Sequence, residues 1–184
     1  MKIAVVIGHA HDRRGADSPW LEPEFNFNTD IANYLKELAP QCYDIYFHGG
    51  YSKGYSTMIK ATANRINTKK YDLVIELHYD ASSNASANGC SVLHHYNSSK
   101  GKEWALKISE GISKGMNINN RGAIALNRTS NGYLAVAYPN PPAVIIEPFF
   151  GGNKSDAQKF DEEFEKRKYA QSIHHTIIGS KLLT

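Results

Sequence analysis

The sequence has few cysteines, no long apolar run and no long cationic run, and each lack removes a class of protein. Two cysteines in 184 residues, Cys42 and Cys90, supply neither a disulfide framework nor a thiolate zinc knot. Any metal site must therefore draw on histidine and carboxylate. The apolar stretches fall far short of the roughly 18 residues that cross a bilayer, so no membrane insertion is expected. Lys and Arg are dispersed and the net charge is only +3, which argues against a nucleic-acid partner. The N-terminal MKIAVVIGHAHD has one lysine, a short strand-like run and no small-residue cleavage site. The expectation is synthesis in the cytoplasm without a signal peptide.

What is present describes an ordinary globular chain. A hydrophobic content of 41% against 21% charged residues excludes a disordered polymer, and the length suits one domain, residues 1–184, around a single core. There are no internal repeats, and low complexity is confined to SSNASANG, a solvated turn. KIAVVIG (2–8) reads as a buried central strand. A helix should start at Asn28 or Thr29 and stop at Pro40, with Ile31, Leu35 and Leu38 on its apolar side. Further strands are expected at 43–48, 71–81, 90–96 and 142–150, with helices at about 57–68 and 102–115 and from about 155 onward. The last helix would carry Phe160, Phe164, Ile173 and Ile177 on its apolar stripe. The glycine-rich GGYSKGYS lacks a P-loop ending and reads as a connector. The stretch around NRGAIALNR is poorly periodic and has no assigned element. The alternation of strands and helices predicts an α/β domain, a twisted, mostly parallel central sheet with helices on both faces.

In such a sheet, ligands gather at the carboxyl ends of the strands. Three expected strands end in a polar residue that a core would not require: His9 after VVIG, His78 after LVIEL, and Glu147 after AVII. Two imidazoles and one carboxylate make the ligand set of an open zinc site, and Glu22 and Glu24, in the segment after His9, are the candidates for the carboxylate. Glu147 would then move a proton beside the metal. A hydrogen-bonded structural role is the commoner fate of a strand-end histidine, and a buried carboxylate such as Glu147 must be either paired or part of a site. Glu76 shares the sheet face of His78 and could ligate or orient a ligand, with an ion pair as the simpler role. His11 and Asp12 are expected in a solvated loop. His94 and His95 point to opposite faces of their strand, and His174 and His175 are expected at the surface.

Four segments, VVIGHAHDRRGA, EPEFNFNTDIANYL, VIELHYDASSNASANGCSVLHHY and PAVIIEPFF, together resemble the zinc-dependent N-acetylmuramoyl-L-alanine amidases, phage endolysin catalytic domains in particular. The resemblance spans residues 5–150. It implies zinc ligation by His9, Glu24 and His78, because NTDIA begins four residues after Glu24, and it implies that Glu147 of the PAVxxE strand is the catalytic glutamate. It also implies a mixed α/β fold, Zn2+ as cofactor, peptidoglycan as substrate and hydrolysis of the amide between N-acetylmuramic acid and L-alanine. The sequence departs from the family pattern in IGHAH, which lacks a proline and a second glycine, and in Asp80, which stands where an asparagine is usual. The further expectations are a phage or prophage lysin without a separate wall-binding domain, acting on the wall after release through a separately made membrane lesion. Another zinc amidohydrolase, a deacetylase or peptidase, is the alternative enzyme, and a non-catalytic wall-binding module is the alternative of a different class.

Overall fold

A computed structural model describes residues 1–179 of the chain. In chain order the elements are β1 (Ile3–Ile7), α1 (Glu24–Leu38), β2 (Tyr43–Phe47), α2 (Tyr55–Asn67), β3 (Leu73–Leu77), β4 (Cys90–His95), α3 (Ser99–Met116), β5 (Asn120–Leu126), α4 (Tyr133–Ala137), β6 (Ala143–Glu147), α5 (Lys154–Ala157) and α6 (Glu163–Ile177). The six strands form one sheet in the order β2-β1-β3-β6-β4-β5. Neighbours are parallel except β4 and β6, which run antiparallel. The sheet is thus mostly parallel, as expected.

Alternate residues of each central strand enter opposite layers, because side chains on a strand point to opposite faces. Ile3, Val5 and Ile7 pack with residues of α1, α3 and α6, while Ala4 and Val6 pack with residues of α2 and α4. From β1 the chain crosses one face through α1 to reach β2, then returns across the other face through α2 to β3, on the far side of β1. The carboxyl ends of β1 and β3 therefore flank the point where the winding reverses, and a crevice opens at such a point.

Several expected boundaries shift. The first helix starts at Glu24 after Pro23, not at Asn28 or Thr29. Phe25 and Phe27 alternate like strand residues, but both are buried on the helix, and Asn28 lies wholly inside it. Glu24 in the first turn suits the positive end of the helix dipole. The segment NRGAIAL forms edge strand β5, in which only Leu126 is buried, and this together with Gly122 at φ +79° conceals the period of two. Helix α4 is five residues long, too short to show a helical period. The final helix is broken: α5 is a single turn and α6 begins at Glu163, so Phe160 is buried ahead of it while Phe164 stands 73% exposed instead of joining the stripe.

Candidate metal centre and its cleft

Three donor groups converge at this crevice. His9 leaves β1 after Gly8 with a left-handed backbone (φ +65°), an uncommon state for a residue with a side chain. Its Nε2 lies 3.0 Å from Glu24 Oε2, and His78 Nδ1 lies 2.9 Å from Glu24 Oε1. One donor atom from each of the three falls within 4.8 Å of the others, a grouping that could hold a metal ion. Glu24 is itself held at both oxygens, since Ala16 N–H donates to Oε2 at 2.8 Å and Tyr79 N–H to Oε1 at 3.1 Å.

The residues around this cluster fit a cation. A deprotonated imidazole nitrogen and a carboxylate oxygen are both acceptors, so two such contacts near 3 Å require either a proton or a cation between them. Burial alone would raise the Glu24 carboxyl, yet its hydrogen bonds and charge interactions with His78 and His9 bring it down to about 2. Burial opposes charge on His78 as well, but Glu24 and Glu76 raise its pKa well above the ordinary histidine value. Two glycines make the room. A Cβ on Gly8 would fall 2.4 Å from His78 Cε1, and one on Gly15 (φ +83°) would fall 2.4 Å from Glu24 Oε2 and 2.7 Å from His9 Nε2.

Glu147 sits beside the cluster. His78 N–H donates to the carbonyl of Ile146 at 3.0 Å, which places Glu147 alongside His78 on the adjacent strand. Its Oε2 is buried without a hydrogen-bond partner among the described residues. Burial is the main reason that its carboxyl is pushed up to about 8; the charge of His78 pulls down, and those of Asp80, Glu24 and Glu76 add to the rise. His9, Glu24, Glu76, His78, Asp80 and Glu147 all line one open cleft of about 1030 Å³.

The remaining candidates separate. Glu22 is ion-paired with Lys166, away from the cluster. Glu76 lies 3.0 Å from His78 Nε2, a contact that fits both the ion pair expected as its simpler role and the orienting role considered beside it. His11 is exposed and outside the cluster, Asp12 accepts from Tyr51 N–H at 3.0 Å, and Asp80 pairs with Arg121 at 3.2 Å. His94 is buried and bonded to the His95 carbonyl, and His95 contacts the Tyr133 hydroxyl. His174 is half-buried against the Tyr43 hydroxyl, not simply exposed, because α6 packs toward β2 there. Both cysteines are free, and burial pushes the Cys90 thiol up to about 12. Sequence reasoning missed His48, which lies 3.4 Å from Glu76. His48 closes the expected strand 43–48 as His9 and His78 follow theirs, but nothing in that segment points to the pairing with Glu76.

Fold and cluster together define a mostly parallel α/β protein with a candidate cation centre at its topological switch point. The chain belongs to the N-acetylmuramoyl-L-alanine amidase family, whose model matches residues 3–178. It is 27% identical over 118 residues to the N-acetylmuramoyl-L-alanine amidase LytC of Bacillus subtilis strain 168, a match covering 63% of this chain and 23% of that protein. The matched part is thus about a quarter of that relative's length. Among solved structures, the catalytic domain of the CD27L endolysin targeting Clostridia difficile superposes with a TM-score of 0.82 at 28% identity, over 97% of each chain. An N-acetylmuramoyl-L-alanine amidase from Clostridium difficile 630 shares the fold at a TM-score of 0.81 and 21% identity, over 98% of each chain. Among the described residues no helix is long and apolar enough to cross a membrane.

Proposed function

We propose that the protein is a zinc-dependent peptidoglycan hydrolase that cleaves the amide between the lactyl group of N-acetylmuramic acid and L-alanine, and that it serves a phage or prophage as an endolysin. The observation that carries this reading is Glu147, whose Oε2 is buried without a hydrogen-bond partner among the described residues, beside the His9–Glu24–His78 cluster in one cleft. His9, Glu24 and His78 would hold the ion. Zinc bound there supplies a Lewis acid and makes hydroxide available near neutral pH.

The chain's own residues account for the proton traffic. Glu147 accepts a proton from the attacking water and returns it to the alanine nitrogen, which must leave as an amine because an amide anion is a very poor leaving group. A carboxyl raised toward neutrality by burial suits both halves of that task. Ala16 and Tyr79 N–H groups hold Glu24, so the donor set does not depend on flexible side chains alone. Residence on peptidoglycan is favoured by the relatives' names and by the modest positive charge, which assists approach to an anionic wall.

The test is a digest of purified peptidoglycan analysed for new L-alanine amino termini, with Glu147→Ala alongside. The expectation is amino termini without new reducing ends, and a loss of about 10²–10⁴-fold in the variant. New reducing ends in their place would mark a glycosidase, and an equally active variant would remove Glu147 from proton transfer.

A further inference from the structure

Behind the cleft, a line of buried polar side chains runs from α2 to His78. His48, just past β2, has a side chain only 2% exposed. Its Nε2 lies 3.4 Å from Glu76 Oε1, and the same oxygen lies 3.0 Å from His78 Nε2. On the other edge of its ring, His48 Nδ1 lies 2.9 Å from Thr62 Oγ1. Arg65, one helical turn on, donates to Thr62 Oγ1 at 3.3 Å and also to the carbonyl of Phe47.

The donor inventory fixes how this line is connected. An ionised carboxylate only accepts, so both Nε2 atoms facing Glu76 must carry hydrogen. With its proton on Nε2, His48 is left with a bare Nδ1, and it accepts from the Thr62 hydroxyl. The single Thr62 hydrogen also faces the carbonyl of Met58 at 3.3 Å, and the shorter 2.9 Å contact with His48 Nδ1 takes it, while Arg65 donates to a lone pair of the same oxygen. At the far end, a proton on His78 Nε2 leaves Nδ1, the atom facing Glu24, as the lone-pair donor. A buried carboxylate left with one partner fewer would also be free to swing toward other polar groups in the cleft, so the second imidazole pins it in place.

We propose that His48, seated by Thr62, is a positioning residue for the metal centre: it holds Glu76 against His78 and thereby keeps His78 Nδ1 aimed at the cation. The proposal rests on the reading of His78 as a metal ligand. Outer-shell partners of metal-bound histidines typically affect affinity by about 10–100-fold, and His48 acts one step further out, so the expected loss is about tenfold.

The experiment measures zinc affinity of the whole chain by competition with a chromophoric chelator, for the wild type, His48→Leu, His48→Gln and Thr62→Val. His48→Leu should weaken zinc about tenfold. His48→Gln, whose amide can still donate to Glu76, should restore most of that affinity, which a purely packing role for the ring would not. Thr62→Val should fall between. On the unmutated protein, ring nitrogen shifts should show His48 carrying hydrogen on Nε2. Wild-type affinity in His48→Leu, no rescue by glutamine, or a His48 protonated on Nδ1 alone would each overturn the proposal. If the wild type itself takes up no zinc, the metal reading fails and the proposal falls with it. Wild-type uptake with an unaffected His48→Leu sinks the proposal alone.

Discussion

Replacing Gly15 by alanine should strip the centre of its cation while leaving the fold standing. Gly15 sits at φ +83°, where a side chain costs about 1–2 kcal/mol in backbone energy. The new Cβ would lie 2.4 Å from Glu24 Oε2 and 2.7 Å from His9 Nε2, two of the donor atoms themselves, so the 3.0 Å pair must part by roughly 1 Å to restore ordinary contact. Donors that bind zinc at about 2.0–2.2 Å no longer converge after such a shift, and affinity should fall about 100-fold or more. At free zinc 100 times the wild-type Kd, binding stabilises the wild type by about 2.7 kcal/mol and the variant by only about 0.4 kcal/mol. For a chain of this size, about 2–4 °C per kcal/mol translates those figures into a zinc-induced rise in Tm of roughly 5–11 °C and about 1 °C. The assay is thermal unfolding after dialysis against chelator, with and without added zinc. Gly54→Ala is the control, since Gly54 has φ +82° with nothing within 4 Å of its Cβ position: it should carry the backbone cost and keep the full zinc response. A Gly15→Ala protein with the wild-type rise in Tm would refute the reasoning.

Two further predictions concern carboxylates. Glu24→Ala should abolish stoichiometric zinc uptake, while Glu22→Ala should leave it intact and only break the pair with Lys166; metal analysis of the two purified variants decides between them. In excess chelator, stability should depend on pH through Glu147, whose folded pKa of about 8 lies above its ordinary value of 4.5. A raised folded pKa means that the folded state binds the extra proton. Its contribution is therefore fully present below about pH 4.5 and is lost as pH rises through 8, by up to a few kcal/mol. Denaturant titrations of metal-free wild type and Glu147→Gln at pH 5 and pH 9 test this, with a shallower decline expected in the variant. Glu24, lowered to about 2, acts in the opposite sense and only below pH 4.5, outside that window, while His78, with its raised pKa, acts in the same sense as Glu147 and is present in both proteins.

Local pattern carried much of this architecture. Short β-branched runs closed by a polar residue marked β1, β3 and β6, and because these strands run parallel the terminal residues His9, His78 and Glu147 had to share an edge. What stayed hidden depended on contacts between elements remote in sequence. Nothing near His48 signals that its ring reaches Glu76 across β1, and nothing in HDRRGADS shows that Gly15 lies against two donor atoms. Glu22 and Glu24 were equivalent by spacing from His9, and the resemblance alone favoured Glu24. The physical difference is that one faces Lys166 on α6 while the other is held by backbone N–H groups from two loops. Strand β5 was lost because an exposed edge with a glycine at positive φ shows no alternation of polarity.

The insertion of β6 between β3 and β4, parallel to the first and antiparallel to the second, has a consequence for how the molecule comes into being. His9, Glu24 and His78 are all made within the first half of the chain, yet β3 has no neighbour on its far side until residues 143–147 arrive to fill the gap. The strand that completes the sheet is the one that delivers Glu147. On the proposed assignment of roles, a chain still being synthesised would hold the three candidate cation donors before it holds the candidate proton carrier, and the site would be complete only once the last strand has entered the sheet.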